Sequence, residues 1–111
     1  RTLALRGADI IAHSSNLVLP FCPDAMVTRC LENRVFAVTA NRTGSEQRGG
    51  KERLTYIGKS QITSHKGEIL YRASEDGDEL SVREIDISRA RNKQINSLNN
   101  LFDDRKKEFY E

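Results

Sequence analysis

At 111 residues, with 37% apolar and 31% charged side chains, the chain holds one domain's worth of polypeptide and has neither room for two cores nor the composition of a disordered segment. Its net charge of +2 is too small to imply a nucleic-acid partner, and no apolar run approaches the roughly 20 residues that cross a bilayer. Two cysteines make no secreted disulfide framework and no signal-peptide pattern opens the chain, so free thiols in a reducing, cytoplasmic setting are expected.

A chain that opens on Arg1 rather than Met is expected to be a processed product or a fragment. Residues 1–6 carry Leu3 and Leu5 and stop at Gly7, which predicts the last turns of a helix. The short run Ile10-Ile11-Ala12 predicts a buried strand over 9–13, and Ser14-Ser15-Asn16 then opens a loop that runs to Pro20. Pro23 suits a first helical turn. Met26, Val27, Cys30 and Leu31 fall on one arc of a helix over 23–34, with Asp24, Thr28, Arg29, Glu32 and Asn33 on the other. On that helix Cys22 and Cys30 lie about 12 Å apart at ~1.5 Å per residue, beyond disulfide reach. Residues 35–40 are nearly continuously apolar, as in a strand covered on both faces.

From 41 to 53 the composition turns to Gly, Ser, Gln and charge, the mark of a long exposed loop. Strands are expected over 54–58 and 60–63, then a turn at Ser64-His65-Lys66-Gly67 into a hairpin partner over 68–72. A loop over 74–78 precedes an expected strand over 79–85. Asp86 is placed to cap a short polar helix over 87–95, and a tail follows in which aromatic residues up to Tyr110 flank charge. This order reads as an α/β layered fold.

Few residue patterns here carry chemistry. Gly58-Lys59-Ser60 has the end of a phosphate-binding loop but Arg53 where that loop needs a glycine, so Ser60 reads as an ordinary strand residue. His13, His65, Cys22 and Cys30 form no pair at metal-ligand spacing. Ser14, Ser15, Cys22 and His13 are nucleophile or base candidates by type only, with no Gly-x-Ser-x-Gly elbow around either serine. Asn41-Arg42-Thr43 fits the N-glycosylation pattern without any secretion signal. Arg29, Glu32 and Asn33, three and four residues apart, share one helix face and can form a hydrogen-bonded cluster.

Taken together, Leu3-Ala4-Leu5-Arg6-Gly7-Ala8-Asp9, Asn16-Leu17-Val18-Leu19-Pro20, the run from Arg29 through Asn33 to Gly44, Gly58-Lys59-Ser60, Lys66-Gly67-Glu68-Ile69-Leu70, Ala90-Arg91-Asn92-Lys93 and Asp104-Arg105 give a pattern that resembles the carbon-nitrogen hydrolase (nitrilase) superfamily. It is most similar to archaeal and bacterial nitrilase-like amidohydrolases with short tails, and only to their C-terminal portion. The resemblance implies part of a four-layer αββα sandwich, with residues 1–86 as sandwich half and 87–111 as helix and tail, and a homo-oligomer assembled through helices and tail. It also implies a Glu, Lys, Cys triad that opens an amide, nitrile or carbamoyl group through a covalent cysteine intermediate, with no cofactor and no metal. None of the triad maps onto this chain, so no catalytic residue is expected here. What maps is a substrate-side loop of His13, Ser15, Asn16 and Leu17, with Asn16 as the expected contact, and the Arg29, Glu32, Asn33 cluster as an interface or structural group. Ser14 stands where relatives commonly carry proline, and Cys30 where alanine is usual.

Two other readings compete. One is a non-catalytic assembly or binding module derived from the same fold. The other is a nucleic-acid binder using Arg42, Arg48, Lys51 and Arg53, which would require salt-dependent binding. Half of a sandwich exposes apolar faces and strand edges, so the chain alone is not expected to be a stable monomer.

Overall fold

A computed structural model describes residues 1–109. The first helix, α1 (Thr2–Leu5), ends where Gly7 takes φ +92°, a left-handed conformation that a side chain would resist. Strand β1 (Ile10–Ser15) leads through a loop to α2 (Cys22–Asn33), which has a proline in its first turn and Asp24 against its positive end. Arg34 closes α2 in the left-handed region (φ 48°), and β2 (Phe36–Asn41) starts two residues later. β3 (Ser45–Glu46) and β4 (Leu54–Thr55) pair as a small separate ribbon. β5 (Gln61–Thr63) and β6 (Ile69–Arg72) form the expected hairpin, closed by Ser64 N–H donating to Glu68 O (2.8 Å) and Gly67 N–H to Ser64 O (2.9 Å). α3 (Ser88–Arg91) and a 3-10 turn over Lys107–Phe109 follow.

The sheet runs in the order β1-β2-β5-β6, with β1 and β2 parallel and the other pairs antiparallel. In register, Ile11, His13 and Ser15 lie beside Ala37, Thr39 and Asn41, and these continue across the sheet to Thr63 and Gln61. This face lies under α2: Gln61 Nε2 donates to Pro23 O (3.3 Å) and Thr63 Oγ1 (2.7 Å), while Arg72 Nε donates to Gln61 Oε1 (2.8 Å). The layer between sheet and helix is thus partly polar, and its polar groups are paired as burial requires. The opposite face carries Ile10, Ala12, Val38 and Ala40, with Ile10 38% and Val38 41% exposed. Its Phe36 end is covered by the His65 ring, with centroids 5.2 Å apart.

The molecule is a slab of 55 × 34 × 18 Å with a radius of gyration of 16.7 Å. A self-contained domain of this length would come near ~13 Å. Among the described residues one helical layer lies on the four-stranded sheet, and the second face of that sheet has no layer over it. The tail docks through Phe102, whose ring takes Lys93 Nζ at 5.0 Å and the guanidinium groups of Arg1 at 5.5 Å and Arg105 at 5.9 Å. Tyr110 lies outside the described residues. No helix among them is long and apolar enough to cross a membrane.

Several sequence expectations need correction. The buried strand expected over 9–13 is an edge strand that alternates between faces and runs on through Ser14 and Ser15, which were expected in a loop. Residues 35–40 are covered on one face, since Val38 and Ala40 are exposed; an apolar run does not say whether both covering layers lie within the chain. Leu31 is exposed although it shares the apolar arc of Cys30. The 41–53 loop contains β3, and pairing over 54–58 is confined to β4. No strand forms over 79–85: Leu80 is 93% exposed, and Glu79 is tied back to the preceding loop. Helix over 87–95 shrinks to α3, whose N-cap position is Ile87 with no side-chain cap; Asp86, one residue earlier, accepts from Ser88 N–H (3.0 Å) and Oγ (2.6 Å) in a local turn instead.

Candidate functional site

Because β1 and β2 are parallel, both end at one rim, where Ser15 sits beside Asn41. The loops leaving that rim are joined through the Asn41 amide. Its Oδ1 accepts from Leu17 N–H (2.8 Å) and Ser15 Oγ (3.3 Å), and its Nδ2 donates to Gly58 O (2.7 Å). The Asn41 backbone N–H donates to Ser60 Oγ (3.0 Å), which itself donates back to Asn41 O (3.3 Å). Leu17 O accepts from Ile57 N–H (2.9 Å), so the 16–21 loop is strapped to 56–60 at two points. Ser60 is therefore a cross-loop tie just ahead of β5, not an ordinary strand residue. Gly58 (φ +58°) is required here, because a Cβ would stand 2.4 Å from Glu75 O.

Beside this junction lies a polar cavity of about 510 Å³, lined by Asn41, Arg42, Lys59, Ser60, Ser74 and Glu79 among others. Its charges are mostly paired. Arg42 lies 4.4 Å over the Tyr56 ring and reaches Glu46 at 3.1 Å; Lys59 meets Glu75 at 2.7 Å. Hydrogen bonds from Tyr56 and Arg42 hold the Glu46 carboxyl below its usual range. Glu79 accepts from the Ser74 hydroxyl, the Tyr71 hydroxyl and Ser74 N–H (2.8 Å), which together pull its carboxyl down to about 2 from 4.5. A carboxylate depressed in the folded state stabilises above its unfolded pKa. The bracing of the 74–79 loop is accordingly expected to hold above about pH 4.5 and to fade as the pH falls toward 2, and Glu79→Gln should remove that acid transition from amide exchange in this loop.

The expected pocket residues are only partly brought together. Ser15 and Leu17 meet through Asn41; Asn16 is exposed on the rim between them. His13 sits further back under α2, its Nδ1 3.2 Å from Thr39 Oγ1. None of the four lines the 510 Å³ cavity. Asn41 was visible in the sequence only as a glycosylation pattern, and with its Nδ2 donating to Gly58 O that nitrogen is committed to the fold.

The Arg29, Glu32, Asn33 cluster forms. Arg29 pairs with Glu32 (2.5 Å), and buried Asn33 donates to Arg29 O (2.9 Å) and accepts from Arg1 (3.1 Å). Arg1 also donates to Glu32 O (2.7 Å), and Lys93 Nζ donates to Asn33 O (2.9 Å) and Arg34 O (2.8 Å). Two cations from outside the helix thereby satisfy its last carbonyls and its negative end.

The thiols differ. Cys30, on the inner face of α2, is fully buried, and burial pushes its thiol up to about 11, far from a nucleophilic thiolate. Cys22, half-buried, opens the helix. Iodoacetamide near pH 8 is expected to label Cys22 and spare Cys30 in the native protein, as peptide mass mapping would show. Among the described residues no three His, Cys, Asp or Glu side chains converge as a metal site would require. The basic residues of the 41–53 loop are largely engaged: Arg48 pairs with Glu46 (3.2 Å) and Arg53 donates to Ser45 Oγ (2.7 Å).

With this geometry in view, the family model for carbon-nitrogen hydrolases matches residues 1–94. The chain belongs to that family. It is 56% identical over 110 residues to a nitrilase of Pyrococcus abyssi, covering 99% of this chain and 40% of the relative. It is 32% identical over 79 residues to an (R)-stereoselective amidase of Pseudomonas, covering 68% of this chain and 27% of that enzyme. Its fold is similar to a carbon-nitrogen hydrolase from Helicobacter pylori at TM-score 0.75 and 24% identity, over 96% of this chain and 41% of that one. The chain thus spans about two-fifths of the length of the hydrolases it matches end to end. The mixed sheet with helices over one face is the α/β sandwich layer of this family.

Proposed function

We propose that these 111 residues are the C-terminal portion of a nitrilase-like amidohydrolase that cleaves non-peptide C–N bonds in small amides, nitriles or carbamoyl compounds. The observation that carries this reading is the match end to end, at 56% identity, to two-fifths of a nitrilase, combined with a sheet whose second face has no layer over it. The Glu, Lys, Cys groups then come from sequence outside these residues. In such an enzyme the cysteine attacks the substrate carbon, the glutamate moves protons and the lysine balances developing charge. This chain contributes the wall: Ser15, Asn16 and Leu17 on a rim held by Asn41, with the exposed Asn16 side chain as the substrate contact. His13 acts one step back by fixing the strand beneath that rim. The polar ends of α1 and α2, tied by Arg1, Arg29, Glu32 and Asn33, belong to the surface on which a second subunit assembles.

The test is release of ammonia from a panel of simple amides, nitriles and carbamoyl compounds by the chain alone, by the chain mixed with the upstream portion, and by the full-length polypeptide. Activity is expected only where the upstream portion is present. Turnover by the chain alone would overturn the assignment and direct attention to Cys22. Silence of the full-length polypeptide across the panel would favour a non-catalytic binding module on the same fold.

A further inference from the structure

At the end of the sheet opposite the Asn41 rim, three cations from three separate elements face one cavity. β5 runs antiparallel to β2, with Thr63 beside Ala37, so the turn after β5 lies at the amino end of β2. There Arg34, at the left-handed end of α2, Lys66, in the hairpin turn, and Arg89, on α3, line a cavity of about 350 Å³ together with His65 and Asn92. We propose that this cavity is a binding site for a doubly charged oxyanion of the phosphate class.

Two independent observations point to such a ligand. The first is an excess of positive charge, although Arg34 Nε already donates to Asn92 O (2.7 Å). Among the described residues neither Arg34 nor Lys66 forms an ion pair, and Arg89 reaches Asp86 only at 3.7 Å, with Asp86 already accepting from Ser88. Like charges held around one concavity repel, and an anion between them reverses the sign of that interaction. The second is His65. It is 4% exposed, yet its Nδ1 is a buried side-chain nitrogen with no hydrogen-bond partner. Leaving such a group unpaired is costly, and a bound group that completes the network is one physical account of a buried orphan. His65 lines this cavity, and with Nδ1 carrying the ring proton an oxyanion that closes onto the ring would supply the acceptor it lacks.

Other charged groups nearby do not fill the role. Glu68 is committed to Ser64 Oγ (2.9 Å), and Glu84 and Asp86 line the adjoining cavity beneath Phe36. Burial, followed by Arg34, Lys66 and Arg89, holds His65 below the usual histidine range against the opposing pull of Glu68. A bound dianion adds a negative charge to this balance and raises the pH at which the ring protonates.

The experiment is a titration of inorganic phosphate into the full-length polypeptide that carries these residues, followed through the ring proton signals of His65 with His13 as internal reference. Saturable movement of the His65 signals is expected, with an upward shift of its titration midpoint, while acetate at matched ionic strength produces neither. Lys66→Gln and Arg89→Gln should each weaken phosphate binding about fivefold, as for loss of one partly solvated charge contact. Lys66→Arg should retain it, and Lys51→Gln, in the distant 41–53 loop, should change nothing. No saturable movement, an equal response to acetate, or wild-type affinity in both glutamine variants would each overturn the site.

Discussion

Replacing Asn41 with alanine is expected to lower the stability of the full-length polypeptide by about 2–4 kcal/mol and its hydrolytic kcat/KM by roughly 10- to 100-fold. The substitution removes a side chain whose two ends serve different loops. Leu17 N–H loses its acceptor and Gly58 O loses its donor, and both groups are held where water has limited access. Each unpaired group of this kind costs about 1–3 kcal/mol, partial hydration bringing the sum toward the lower end. The kinetic effect follows from position: the strap fixes the rim on which Asn16 stands, and a displacement near 1 Å in a positioning loop can cost ~100-fold. Asn41→Asp separates the two bonds. It keeps an acceptor for Leu17 but sets a carboxylate against the Gly58 carbonyl, so its deficit should shrink as the pH falls toward ~4 and the introduced carboxyl gains a proton to donate. Urea denaturation at two pH values and steady-state hydrolysis check both claims. An alanine variant with the wild-type denaturation midpoint would remove Asn41 from its place at the junction.

That junction was the least legible part of the chain, and the reason is geometric. Asn41 acts across the parallel register with Ser15, twenty-six residues away, and across to Gly58 and Ser60; nothing in its immediate neighbours announces this. Elements with local signals were read well. Pro23 marks the start of α2 and Ser64-His65-Lys66-Gly67 marks the hairpin, whereas Asp86 falls one residue ahead of the α3 N-cap, Ile87. Where the outcome depended on a partner, local pattern failed. Residues 79–85 have strand-like composition, but Glu79 is captured by Ser74 and Tyr71, and strand propensity expresses little without a neighbouring strand to pair with. Leu31 and Val38 are exposed on apolar faces, so amphipathic periodicity identifies the faces without saying what lies against them.

Val38 offers the sharpest test of whether a second layer covers that face. In the chain alone its side chain is 41% exposed on the bare face of the central strand β2. Val38→Asp there should cost no more than about 1 kcal/mol, the loss of β-branched packing on a half-solvated strand. The same substitution in the full-length polypeptide is expected to cost about 3–5 kcal/mol, because a second sheet laid over this face would leave the carboxylate buried and unpaired. The two contexts therefore predict effects that differ by several-fold, which no property of the site within these residues can produce. Self-association supplies the complementary readout. Ile10, Ala12, Val38 and Ala40 form a contiguous apolar strip, so the unsubstituted chain should melt at a temperature that rises with concentration, while Val38→Asp should weaken that dependence. Equal destabilisation in chain and full-length polypeptide, with a sharp, concentration-independent melt of the isolated chain, would mean that the face stays bare and the sandwich is not completed over it.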